Sequence, residues 1–576
     1  MAKKNTGPYS RYAESEINTL HLINAVPKHR KGRIYVALVY PNTYSVGMSN
    51  LGFQTTYSLI NQMDGVVCER AFLPENKEGS DVPKTIESNR SLSGFDIIAF
   101  SISFEVDYLN LIAVVEKAGL PLQSAARGDP HPLIIAGGVA CFLNPEPVAP
   151  FVDCFLIGEA ERLLPRFFNF YDPLSEKKTL LKNLAKKLPG AYIPYFYKHI
   201  YNNDGTLLSI KPDPGIPAKV KRVVTDDISN ISTCTAVLTY QTTFKNSFLI
   251  EVSRGCAHGC RFCSAGFVYR PPRFRPYSLL QDNIEEGSNL TTKIGFVGAA
   301  VSDHPDIGRL CDLAARKKLK VSFSSLRADA LTPELVAALK KSRVKTAVIA
   351  PDAGSKRMRN VINKNISEKQ ILDATEMIVA GGIPNLKLYF MIGLPTETDD
   401  DIEAIILLCK KIKERFLKSS RKRKKIGTIT VSINPFVPKP FTPFQWASMN
   451  DSVTLKNKIK RIRQSLRQTP NIKVQAESPK NAFIQAILTR GDRRSADILI
   501  HALKNKMNWP KTLKESRMDT NLIALRERSP SELLPWDFID HGIKKSFLAQ
   551  EYKLAKAGEI SPPCPMKSCK LCGICE

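Results

Sequence analysis

Short, continuously apolar segments alternating with longer amphipathic ones are the feature that most narrows the folds open to this chain. The first series is RIYVALVY (33–40), FDIIAFSIS (95–103), PLIIAGG (132–138) and VDCFLIGEAE (152–161). A strand that is apolar along its whole length must be covered on both faces, as in parallel sheets flanked by helices. The series predicts a flavodoxin-like parallel sheet over 1–210. In open sheets of this kind, ligands bind in loops at the carboxyl ends of the strands. Asn42, Ser45, Gly47, Ser103, Glu105, Gly137, Gly138 and Glu159 fall in those loops.

A less regular connector, 211–246, leads to a second series. Strands are predicted at 248–253, 293–298, 320–325, 345–350, 386–392 and 428–434, with helices between them. Six βα units over 247–450 suggest a partial (β/α)6 barrel, with its chemistry at the C-terminal ends of the strands. Residues 451–576 read as a mostly helical region ending in a cysteine-rich tail. Within it, Arg490, Asp492, Arg493 and Arg494 suit either an acidic substrate or a surface ion-pair network.

With 43% apolar and 24% charged residues, the chain has the composition of an ordinary globular protein. Its N-terminal residues lack the apolar core of a secretory signal, and no apolar run is long enough to span a bilayer. A cytoplasmic protein with no membrane contact is the expectation. The formal charge of +28 favours acidic partners, RNA among them. Part of this charge is concentrated. Ten basic residues face the single acid Glu414 between Lys410 and Lys425, and six fall between Lys456 and Arg467 without an acid. Leu455, Ile459, Ile462 and Leu466 are spaced to make the second of these an amphipathic helix.

Thirteen cysteines in a reducing compartment are not a disulfide framework. Six are scattered, several of them in apolar runs where a thiol is a small buried hydrophobe. The other seven form two clusters. Cys256, Cys260 and Cys263 follow the first barrel strand at C-x3-C-x2-C spacing, among Gly255, Gly259 and Gly266. Zinc usually takes four ligands, whereas a [4Fe–4S] cluster on three thiolates keeps one iron open. Cys564, Cys569, Cys572 and Cys575 follow C-x4-C-x2-C-x2-C and suffice for zinc or for a second, auxiliary [4Fe–4S] cluster.

The motif C-x3-C-x-aromatic-C directly after the first barrel strand resembles the radical SAM superfamily. In that family the open iron chelates S-adenosylmethionine (SAM), and one electron cleaves the sulfonium to a 5′-deoxyadenosyl radical. The resemblance implies SAM contacts at successive strand ends. Gly298 and Ala299 in GFVGAAVSDHP (295–305) would meet the amino group. Ser325 and Arg327 in SFSSLRADAL (322–331) would meet the ribose and carboxylate. Asp352 in VIAPDAGS (348–355) stands where relatives often carry glutamate. Gly393 in LYFMIGLPTET (388–398) and Phe262 would flank the adenine.

Together with YPNTYSVGMSNLGFQTTY and the cysteine-rich tail, these motifs resemble an uncharacterised radical SAM family whose N-terminal domain is similar to cobalamin-binding domains. The D-x-H-x-x-G signature of histidine-on cobalamin binding is replaced here by PNTYSVG, so cobalamin stays open beside a plain substrate-binding domain. The resemblance also implies a reductase such as flavodoxin or ferredoxin as electron donor. The substrate class stays open among RNA, protein and cobalamin-dependent methyl transfer. An electron-transfer or nucleic-acid-binding protein is the alternative of another class, but such a protein has no use for an open iron.

Overall fold

The computed structural model describes residues 16–18, 34–74, 82–324, 326–421, 426–566 and 569–575. The N-terminal unit is a six-stranded sheet of β1 (Ile34–Tyr40), β2 (Val66–Phe72), β3 (Ile97–Ser101), β4 (Leu133–Gly137), β5 (Cys154–Leu156) and β6 (Ala191–Tyr192). Their order is 2-1-3-4-5-6; the first five run parallel and β6 is antiparallel. The order 2-1-3-4-5 is that of flavodoxin-like sheets. Val36, Ala37 and Val39 of β1 are all fully buried, as the unbroken apolar run requires. Helices α1 (Leu51–Asn61) and α2 (Ala160–Phe170) follow β1 and β5. Asn50 caps α1 by accepting the Phe53 N–H at 2.9 Å.

The central region is also parallel, but its strands fall into two sheets. Strands β7 (Phe248–Glu251), β8 (Lys293–Val297) and β9 (Lys320–Phe323) form one. The other comprises β10 (Thr346–Asp352), β11 (Asn385–Ile392), β12 (Ile429–Pro435) and a seventh strand, β13 (Ile472–Ala476). β13 lies in the stretch expected to be helical. Its residues alternate between half-buried and exposed because it is the edge strand beside β12, so it lacks the continuous apolar signal of its neighbours. Between β12 and β13, helix α3 (Ser452–Arg467) buries Leu455, Ile459, Ile462 and Leu466, the four residues that the periodicity selects. Lys456, Lys460, Arg463 and Arg467 are exposed on its other side. Residues 422–425 of the basic run lie outside the described residues.

Beyond β13 the chain is mainly helical and ends with α4 (Lys545–Ala557) and the tail. The connector 211–246 is laced to both units. Gln54 Oε1 accepts the N–H groups of Ala236 and Val237, while Thr235 N–H donates to Leu249 O at the start of the barrel. Among the described residues no helix is long and apolar enough to cross a membrane.

Candidate functional site

The three-cysteine loop begins where β7 ends. Ser253–Arg254 pair antiparallel with Arg273–Phe274, and the chain then turns at Gly255 with φ of +83°. A Cβ there would stand 2.4 Å from Tyr269 O, so the turn requires glycine for both conformation and space. Cys260 is buried, and Cys256 and Cys263 are partly exposed. Burial raises all three thiols above their ordinary range, Cys260 to about 11. The charge of a neighbouring cysteine adds to this at each position. Opposing groups are also in place: the His258 N–H at Cys256, the Ala265 and Gly266 N–H groups at Cys263, and the Lys364 ammonium near Cys260. Three thiols with amide donors and a cation around them fit a thiolate-ligated group. Among the described residues no three His, Cys, Asp or Glu side chains close on a single ion. His258 is engaged elsewhere, with Nε2 2.6 Å from Asp303 Oδ2.

The residues expected to contact SAM lie at several strand ends. Gly298 and Ala299 follow β8 and line a cavity. Gly298 N–H donates to Ser324 Oγ at 3.1 Å, and the Ser324 hydroxyl donates back to Gly298 O at 2.9 Å. Ser325 lies outside the described residues. Arg327 pairs with Asp329 at 2.8 Å, and its charge is felt at Cys260. Asp352, at the end of β10 with φ of +60°, is held in an ion pair with Lys364 Nζ at 2.5 Å. Gly393 follows β11 with φ of +78° and donates to Glu397 Oε1 at 2.8 Å, which also accepts from Lys458 Nζ at 2.6 Å. Phe262 is partly buried against the core shared with the N-terminal unit. Cys260, Arg327 and Asp352 are thus gathered around Lys364, which the sequence reading did not single out. Burial opposes its charge, but the Asp352 carboxylate holds the Lys364 pKa above its usual value.

A cavity of about 550 Å³ opens between the two units. The N-terminal sheet contributes strand residues Ala99 and Ala136 and the strand ends Ser103, Gly137, Gly138 and Glu159; the barrel contributes Gly255, Gly298 and Ala299. Asn42, Ser45, Gly47 and Glu105 are not among its lining residues. Asn42 instead donates to Asp107 Oδ1 at 2.9 Å, and Glu105 accepts from Lys439 Nζ at 2.7 Å. The charges at the cavity wall are internally paired. Arg254 bridges Glu159 (2.9 Å), Glu161 (2.7 Å) and Glu251 (2.8 Å), while Arg273 reaches Glu159 at 2.7 Å. Burial alone would raise the Glu159 carboxyl. The Arg273 and Arg254 guanidiniums and the Thr225 N–H outweigh it and bring the pKa down to about 2. Glu251 and Arg254, in the EVSRGC stretch, therefore lock the loop base to the N-terminal unit.

The tail returns to the same place. Cys564 N–H donates to Ala257 O, one residue past Cys256, at 2.8 Å. Farther on, Lys544 N–H donates to Cys572 O at 2.9 Å, and Cys575 feels the charges of Cys572, Cys564 and Cys569. Four thiols within electrostatic reach of one another fit a metal or cluster by donor type. Upstream, Arg490 is fully buried and donates to Ala524 O and Arg526 O, both at 2.8 Å. Arg493 pairs with Glu146 at 2.9 Å and Arg494 with Asp492 at 2.6 Å. Arg493 and Arg494 thus form ion pairs, while Arg490 is buried against carbonyls, so the four residues are not the surface network expected.

Comparison with known proteins follows this geometry. Residues 250–409 match the radical SAM superfamily, and residues 52–194 match the N-terminal domain of radical SAM proteins. An uncharacterized protein of Methanocaldococcus jannaschii is 31% identical over 490 residues, covering 84% of this chain and 94% of that protein. An uncharacterized methyltransferase of Pyrococcus horikoshii is 29% identical over 171 residues, 28% of this chain and 37% of that protein. The solved structure of the cobalamin-dependent S-adenosylmethionine radical enzyme OxsB aligns with a TM-score of 0.42 at 17% identity. That alignment covers 65% of this chain and 52% of the other, so the chain spans about half the length of that enzyme. The chain belongs to the radical SAM superfamily of enzymes.

Proposed function

We propose that Cys256, Cys260 and Cys263 hold a [4Fe–4S] cluster with SAM beside it, and that a substrate bound in the cavity loses hydrogen to SAM's adenosyl fragment. When bound and reduced by a low-potential donor, the cluster supplies the electron for reductive cleavage of SAM to a 5′-deoxyadenosyl radical. The observation that carries this reading is one cavity shared by Gly255, which opens the cysteine loop, by Gly298 and Ala299, and by the strand ends of the N-terminal sheet.

The chain's own residues divide the work. Gly298 and Ala299 leave backbone room for the amino group of SAM. Arg327 faces its carboxylate, and Lys364, held by Asp352, keeps positive charge near Cys260. Phe262 and Gly393 would flank the adenine. The paired Arg254–Glu159–Arg273 group ties the N-terminal unit to the barrel at the cavity wall, where exclusion of water would protect reactive intermediates. At the tail, Cys564, Cys569, Cys572 and Cys575 hold an auxiliary [4Fe–4S] cluster or zinc.

The test is anaerobic reconstitution followed by iron and sulfide counts and a 5′-deoxyadenosine assay with SAM and dithionite. Cys256→Ala, Cys260→Ala, Cys263→Ala together should remove about four irons, one cube, and bring the nucleoside to background. Equal nucleoside from this variant and the wild type would sink the reading.

A second reading is favoured by the depth of the cavity. It runs from the strand ends down to Leu38, Ala99, Ile135 and Ala136, between the sheet and helices α1 and α2. Such a slot suits one arm of a large cofactor, and cobalamin there would agree with a cobalamin-dependent methyltransferase. Titration with hydroxocobalamin should then change the cobalamin spectrum at one equivalent, and Ala136→Phe should abolish the change. RNA remains a substrate candidate on the exposed basic face of α3 alone.

A further inference from the structure

The three-cysteine loop and the tail share one buried side chain. Arg261 lies inside the motif, between Cys260 and Phe262, and has no exposed surface. Its Nε–H donates to Glu551 Oε2 on α4 at 3.0 Å. Its Nη1 donates to the carbonyls of Asn360 (3.2 Å), Val361 (3.1 Å) and Glu559 (2.8 Å), and its Nη2 to Ser561 Oγ (3.1 Å). The Ser561 hydroxyl donates in turn to Glu551 Oε1 at 2.8 Å. Ser561 N–H donates to Asn363 Oδ1 at 2.9 Å, and the Asn363 amide donates to Gly259 O at 3.2 Å. Three residues later comes the bond from Cys564 N–H to Ala257 O. The spacers Ala257, Gly259 and Arg261 are therefore each tied, directly or through Asn363, to the segment that leads into the tail.

A guanidinium removed from water is stable only while its donors are satisfied. Two of those partners, Glu559 O and Ser561 Oγ, belong to the stretch between α4 and Cys564. If that stretch leaves its place, Arg261 is left partly unpaired inside the loop that spaces the cluster ligands. Metal bound by the tail stabilises only conformations with the tail in place, and these are the ones that hold the loop.

We propose that Arg261 is a positioning residue that couples metal uptake at Cys564, Cys569, Cys572 and Cys575 to retention of the cluster at Cys256, Cys260 and Cys263. The inference rests on the reading of the loop as a SAM-binding cluster site. It holds whether the tail takes zinc or an iron–sulfur cluster.

The full-length chain is reconstituted anaerobically as wild type, as Cys569→Ser with Cys572→Ser, and as Ser561→Ala. An iron chelator is added, and the lifetime of the reduced-cluster EPR signal that shifts on adding SAM is followed, with tail metal counted separately. The double variant, which touches no ligand of the first site, should shorten that lifetime about tenfold, the scale of ordinary coupling between sites. Ser561→Ala, which leaves the Arg261–Glu551 pair intact, should shorten it severalfold while lowering the melting temperature by no more than a few degrees. Lifetimes within about twofold of wild type in both variants would overturn the inference, as would a wild-type tail that takes up no metal. A wild type that holds no SAM-responsive signal is a separate result. It overturns the functional reading itself, and this inference with it.

Discussion

The two cysteine clusters present the same thiol donors on different supports. The first is built by the fold: an ion-paired base at Arg254, a glycine turn, amide donors at two thiols and Lys364 near the third. The tail has a buried Cys572 and a few backbone bonds, and its other described cysteines are partly exposed. The difference teaches where shape comes from. The loop takes its shape from the surrounding domains, whereas the tail has few contacts of its own to define its geometry and would depend on any metal it binds.

Four changes would sharpen or break this contrast. Gly255→Ala should have the largest effect. It puts a Cβ against Tyr269 O at positive φ, costing the loop about 2–4 kcal/mol, and should lower both iron loading and melting temperature. Glu159→Gln should come next. The Glu159 carboxyl sits at about 2, below its ordinary 4.5, so its stabilisation is complete above pH 4.5 and falls away between 4.5 and about 2. At pH 7 the loss should approach about 3 kcal/mol. Acid unfolding of wild type and variant should converge in that window; parallel curves would show the carboxylate to be indifferent. Lys364→Met should reduce iron retained per chain by a few fold without changing the melting temperature by more than a few degrees, read by iron count and calorimetry. Gly573→Ala should have the smallest effect, about 1 kcal/mol or less, because its φ of +91° is strained but its Cβ would only graze Gly542 O at 3.0 Å. An effect as large as that of Gly255→Ala would mean that the tail is as firmly preformed as the loop.

Much of this was legible in the sequence. The unbroken apolar runs pointed to parallel sheets because burial on both faces leaves no polar alternation, and the cysteine spacing after the first barrel strand marked the loop. β13 escaped because IKVQA alternates at an edge and is flanked by helices on both sides. Lys364, Arg261 and the Arg254–Glu159 pairs escaped for a different reason. Isolated charges in sequence look like surface; the folded arrangement brings partners of Arg254 and Arg261 from about 100 to 300 residues away and sets Lys364 against Asp352, 12 residues before it. Asp352 shows the same limit in reverse. It was placed at the correct strand end, but its partner Lys364 was not foreseen.

The bond between Cys564 and Ala257 also sets a clock on the making of this enzyme. The two residues are 307 positions apart. At about 5–20 residues per second, a ribosome takes roughly 15–60 s to cover that distance. For that interval the Ala257 carbonyl lacks the Cys564 amide that later donates to it. Whatever the loop binds before that moment, it binds without the tail's hydrogen bonds.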